Sequence, residues 1–165
     1  MFPIGIEPMK KILKLFLPII MCLSISFTSV AEEPGTYLSE EIQSTCVKYG
    51  EEYGICPELI MAIIERESSG QADVESGGCK GLMQIYAKFH KDRLERLEVT
   101  DIYDMDGNIH VGVDYLSELF EKYEDAGTVL MVYHGEENAT NQVRLSNYAN
   151  EILIRSAELE RWNGK

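Results

Sequence analysis

The chain has 165 residues, with 15 basic against 28 acidic side chains and a formal net charge of −13. A surface of that sign repels nucleic acid and anionic lipid, which disfavours both as partners. The length suits one domain, and residues 9–31 (MKKILKLFLPIIMCLSISFTSVA) have the layout of a secretory signal.

That segment sets Lys10, Lys11 and Lys14 before an apolar run from Leu15 to Ile25, then Ser29-Val30-Ala31 as small residues for a peptidase. The run is too short for a membrane span, which needs about 20 apolar residues. No stable membrane insertion is therefore expected once the signal is cut, and the expected location is extracytoplasmic, secreted or at the cell wall. Met9 reads as the better start. Cleavage after Ala31 removes three lysines and Glu7, leaving 12 basic and 27 acidic residues. The remaining 134 residues can bury about two-thirds of their unfolded surface in a single core.

Residues 32–37 (EEPGTY) read as a linker and 38–165 as the folded domain. Ser39 is placed to cap a first helix, with Ile42, Cys46, Tyr49 and Tyr53 as its apolar stripe and Gly54 as its stop. Pro57 suits the first turn of a second helix that continues to Ser68. Residues 69–81 (SGQADVESGGCKG) are too glycine-rich for a long strand and predict a loop or short hairpin. A helix is expected over 86–97, a turn at Asp104 to Gly107, and then a helix carrying Ile109, Gly112, Val113, Leu116, Leu119, Phe120 and Tyr123 inward. A short buried helix over 127–134 and a last one over 146–162, with Tyr148, Ile152 and Leu153 inward, complete a mainly α fold.

Cys46, Cys56 and Cys79 remain after cleavage, and sequence leaves their pairing open. No Cys-x-x-Cys occurs and His90, His110 and His134 are far apart, so neither a zinc site nor any other metal or cofactor is expected. Asp104 to Asn108 touches a calcium-loop pattern, but Val113 stands where the closing glutamate belongs, and the segment reads as a helix start.

The chemistry concentrates at the end of the second helix. Glu67 lies four residues after Ile63 and three after Ile64, so it continues their buried face, whereas Glu65 and Arg66 rotate towards solvent. Burial and the negative end of the helix dipole would both raise the Glu67 pKa, as a general acid near neutral pH requires. The following GGCKGLMQI brings glycines, which allow close backbone approach, next to Met83 and Gln84, which suit a sugar face and its polar groups.

Glu67-Ser68, the glycine loop and Gly81-Leu82-Met83-Gln84 together resemble the signature of soluble lytic transglycosylases and the related goose-type lysozymes. The likeness continues through NIHVGVDYLSEL (108–119), VLMVYHGEEN (129–138) and YANEI (148–152). It implies an α+β lysozyme-like domain acting on peptidoglycan strands, without a cofactor and as a monomer. By that resemblance Glu67 is the catalytic acid and base, Ser68 and Gly81 support the site, Met83 and Gln84 line the cleft, and Tyr133 faces Glu67. The implied reaction cleaves the β-1,4 bond between N-acetylmuramic acid and N-acetylglucosamine and closes a 1,6-anhydro ring.

The chain departs from that pattern at His134, where asparagine is usual, and at Cys79, Glu75 and Gly135. Glu75 and His134 are therefore secondary candidates. Two alternatives stay open: a lysozyme-type hydrolase using a water placed by Glu75 or Asp73, and a wall-binding protein with weak turnover. The latter would serve secretion, conjugation or wall-remodelling machinery.

Overall fold

The computed structural model describes residues 35–165; the expected signal segment and the first residues of the linker lie outside them. Helix α1 (Glu40–Tyr53) starts where Ser39 Oγ accepts from the Ile42 amide at 3.3 Å. It ends at Gly54 in the left-handed conformation. Helix α2 (Pro57–Ser68) follows, and every residue from Glu58 to Ile64 is buried, with Ile60, Ile63 and Ile64 at 0% exposure. A helix apolar all round must sit inside a bundle. α1 and α6 (Asn147–Trp162) pack on α2, while α4 (Met105–Lys122) packs on α1 and α5 (Ala126–Tyr133), and α5 on α6.

The loop after α2 forms the expected hairpin, β1 (Glu75–Ser76) paired antiparallel with β2 (Cys79–Lys80). The helix expected over 86–97 is instead divided. A single 3-10 turn, Ala87–Phe89, is followed by a bend at His90 and by α3 (Lys91–Arg96). Arg93 follows the bend. Its guanidinium is drawn into the interior, where Nε donates to Asp114 Oδ2 at 2.5 Å, NH1 meets His90 Nδ1 at 2.6 Å, and NH2 donates to Glu118. A buried cation needs such pairing, and His90, the residue at the bend, is one of its partners. The expected turn at Asp104 is the start of α4, with Asp104 Oδ2 accepting from the Gly107 amide at 2.8 Å.

Cys46, Cys56 and Cys79 are free thiols. Burial pushes Cys46 up to about 12, so it behaves as an apolar core residue. Among the described residues, no helix is long and apolar enough to cross a membrane, and no cluster of three or more His, Cys, Asp or Glu could hold a metal ion.

Glu65 differs from its sequence reading. It is drawn inward, where Arg155 Nε donates to its Oε2 at 2.6 Å and Thr36 Oγ1 donates to its Oε1 at 2.6 Å. Arg155 also reaches the Gly35 carbonyl at 2.6 Å. Residues 35–36 are thereby tied to the back of α2, and only Arg66 keeps the exposed position expected of it.

Candidate active site

Glu67 emerges from the last turn of α2, half-buried, beside the hairpin and the α5–α6 layer. Burial raises its pKa, and the Tyr148 hydroxyl, His134 and Arg66 offset part of that rise. The Tyr148 hydroxyl donates a short hydrogen bond to Glu67 Oε1. Burial and the adjacent carboxylate push the Tyr148 phenol far upward, so it remains a donor at any physiological pH. His134 lies flat on the Tyr148 ring, with centroids 3.9 Å apart and planes 8° from parallel. Arg66 stands over the same ring at 5.9 Å. One face of the tyrosine is therefore held by a stacked imidazole.

The second wall is the Gly81-Leu82-Met83-Gln84 turn. Lys80 and Ile85 exchange backbone hydrogen bonds at 3.1 and 2.9 Å, closing the turn at its base. Gly81 takes φ +77°, and a Cβ there would lie 2.2 Å from Asn108 Nδ2, so both conformation and space demand glycine. Asn108, fully buried on the first turns of α4, staples the loop. Its Nδ2 donates to Lys80 O and Ile102 O at 3.0 and 2.8 Å, and its Oδ1 accepts from the Met83 amide at 2.8 Å. All three short bonds are inside the protein, where an unmade one costs the full desolvation penalty.

The residues singled out from sequence take unequal positions. Ser68 is buried, and its hydroxyl returns to Ile64 O at 3.2 Å, closing the helix end beneath Glu67. Gln84 is half-exposed, but its amide is folded back onto Val74 O and Gly81 O at 3.1 and 2.9 Å. Met83 is fully buried, so its side chain presents no sugar-facing surface; Gly112 of α4 leaves room for its sulfur. Tyr133 does not bond to Glu67. Its hydroxyl donates to Met83 O at 2.8 Å and ties α5 to the loop, although Glu67 is near enough to raise the Tyr133 pKa after burial has done so.

Glu75 is turned away. Its carboxylate accepts from Tyr103 Oη at 2.6 Å and pairs with Lys80 at 3.7 Å, and these contacts lower its pKa, the tyrosine bond first. Asp106, the other acid of the calcium-like stretch, is engaged by Tyr49 at 2.7 Å and Lys48 at 3.0 Å. Sequence reasoning gave Tyr148 only a core role and did not single out Asn108. For Asn108 there was a signal: an amide four residues before Gly112 on the inward stripe of α4 has to find partners inside.

A cleft of about 480 Å³ opens beside these elements, lined by Cys79, Gln84, Tyr86, Tyr115, Tyr133 and His134 among others. Cys79, Tyr133 and His134 on its wall are within electrostatic reach of Glu67. Tyr115 and Tyr133 lean together with centroids 5.5 Å apart. The cleft wall is rich in aromatic rings, its charged lining residues are Arg93 and Glu118, and Glu67 lies close to its Cys79, Tyr133 and His134 side.

Comparison with known proteins agrees with that geometry. A transglycosylase of Enterobacteria phage PRD1 is 37% identical over 91 residues, covering 54% of this chain and 33% of the phage protein. The chain therefore spans about a third of the length of that relative. Lytic transglycosylase Slt from Pseudomonas aeruginosa, solved as an inactive mutant, superposes with a TM-score of 0.64 at 19% identity. The superposition covers 74% of this chain and 24% of the solved one, and it establishes a shared fold. The sequence model of the transglycosylase SLT domain matches residues 44–154, from the middle of α1 to the middle of α6. With two-thirds of its length so matched, the chain belongs to the transglycosylase SLT domain family.

Proposed function

We propose that this protein is an exported lytic transglycosylase of peptidoglycan in which Glu67 is the single catalytic carboxyl group. The observation that carries the reading is the pairing of a half-buried Glu67, its pKa raised by burial, with the Tyr148 hydroxyl that steadies its ionised form. In the first half of the reaction the Glu67 proton passes to the glycosidic oxygen as the bond from the muramoyl anomeric carbon breaks. The substrate's acetamido oxygen supports the positive charge at that carbon. In the second half the Glu67 carboxylate takes the proton of the C6 hydroxyl, and O6 bonds to the anomeric carbon to give the 1,6-anhydro sugar. No water is consumed and Glu67 ends as it began, so one carboxyl group suffices where most glycosidases use two.

A hydrolytic reading would need a second acid to place water. Glu75 is a weak candidate for that role, because Tyr103 and Lys80 already occupy its carboxylate. The export part of the proposal rests on the basic, apolar and small-residue order of 9–31.

The test is mass spectrometry of peptidoglycan incubated with the full chain. Muramoyl products lighter by one water than their reducing counterparts are expected, and Glu67→Gln should lower the rate by about 10²- to 10⁴-fold, the usual worth of general acid–base catalysis. Reducing muramoyl ends as the main product, or a fully active Glu67→Gln protein, would refute the proposal.

A further inference from the structure

His134 stands where the family pattern has asparagine, and the fold holds its backbone firmly. It closes α5: its own amide returns to Leu130 O at 3.0 Å. The next two amides, of Gly135 and Glu136, return to Val132 O and Met131 O, both at 3.0 Å. Gly135 takes φ +78°, the left-handed turn that ends a helix with this pair of bonds. The position of the imidazole is thus set by a rigid helix end.

From there the ring reaches the first turn of α6. It lies on Tyr148, the second residue of that helix, with centroids 3.9 Å apart and planes 8° from parallel. Its Nδ1 stands 3.4 Å from the Glu136 carboxylate, on a side chain that is mostly buried. Rotation of a tyrosine ring about its own axis leaves the hydroxyl in place, whereas a swing about χ1 carries it away. A ring stacked flat on another blocks that swing on one side. Arg66, over the same ring at 5.9 Å, is a looser restraint, because it is exposed and paired with Glu151 at 3.3 Å.

Building on the catalytic role proposed for Glu67, we infer that His134 is a positioning residue whose ring holds the Tyr148 hydroxyl on the Glu67 carboxyl group. It acts through the phenol and transfers no proton itself. The other titratable groups close to Glu67 are Arg66 on α2, Cys79 on the hairpin and Tyr133 on α5. A charge on His134 would also act on Glu67 directly, so the test has to separate the ring from the charge.

The full chain, with carbon-13 in its glutamate carboxyl groups, allows the Glu67 titration to be followed by NMR; Glu67→Gln identifies the signal. Tyr148→Phe should raise the Glu67 midpoint by about one to two pH units, the worth of a hydrogen bond to a charged group. His134→Ala and His134→Asn both remove the ring and should raise it by about 0.5 to 1 pH unit, the scale of one stacked pair. His134→Phe restores a ring without a charge and should recover at least half of that rise. With Tyr148→Phe already in place, His134→Ala should move the midpoint less than half as far, because no hydroxyl is left to aim. An equal rise in both backgrounds, no rise at all, or no recovery with phenylalanine would overturn the inference. The midpoint is read without substrate, so absence of anhydro product from the wild-type chain would overturn the catalytic reading alone.

Discussion

Replacing Tyr148 by phenylalanine removes one oxygen atom from the centre of the site and little else. The ring is 5% exposed and stacked on His134, and both features survive the change. Deleted is the hydroxyl that donates to Glu67. A hydrogen bond to a charged group is worth about 1.5–3 kcal/mol. That bond favours the carboxylate over the acid, so its loss pushes the already raised Glu67 pKa further up. Glu67 then stays protonated to higher pH, but the carboxylate that forms as it gives its proton to the glycosidic oxygen has lost its donor, so that transfer is harder. At about 1.4 kcal/mol per factor of ten, the neutral-pH rate should fall by about ten- to one hundredfold. The limb of the pH–rate profile on which activity falls as Glu67 ionises should move to higher pH. The assay is release of anhydro-muropeptides from purified peptidoglycan between pH 4 and 9, with thermal melting as a check on folding. An unshifted profile with an unchanged rate would show that Tyr148 does not control the catalytic proton.

Two further substitutions test the frame around the site. Asp114→Asn should destabilise the protein by about 1.5–3 kcal/mol in denaturant titration, because it removes one of the two carboxylates paired with Arg93, which is only 9% exposed. Burial acts to raise the Asp114 pKa, but hydrogen bonds from Arg96 and Arg93 outweigh it and lower the value to about 2. The folded pKa lies below the ordinary one, so the stabilisation is complete above about pH 4 and is lost as pH falls towards 2. The gap between wild type and variant should close over that interval. Gly112→Ala would set a Cβ 2.4 Å from the Met83 sulfur, and overpacking of this kind costs about 1–3 kcal/mol. Since Met83 also anchors the turn through Asn108 and Tyr133, the variant should lose activity together with thermal stability.

Local chemistry was enough to read the first two helices from sequence. Ser39, Gly54 and Pro57 bound α1 and α2 through capping and φ restriction, which act within a few residues. The Ile63/Ile64/Glu67 spacing likewise placed one glutamate of α2 on the buried face. What lay beyond reach depended on contacts between residues far apart in the chain. Glu65 turns inward because Arg155, 90 residues later, supplies its counter-charge. The helix expected over 86–97 is divided at His90, next to an Arg93 that is held by Asp114 and Glu118 on α4.

The site follows the same division. The family resemblance singled out Glu67 and the glycine turn, but which tyrosine donates to Glu67 was set by the packing of α5 and α6. The first hydroxyl was taken by Met83 O and the second was left for the carboxyl group. Glu75 accepts instead from Tyr103, a partner 28 residues away. Sequence by itself determined which residue types were available at the mouth of α2. Tertiary structure decided which of them meet, because a hydrogen bond needs its two atoms within about 3 Å and that distance is set by how helices pack.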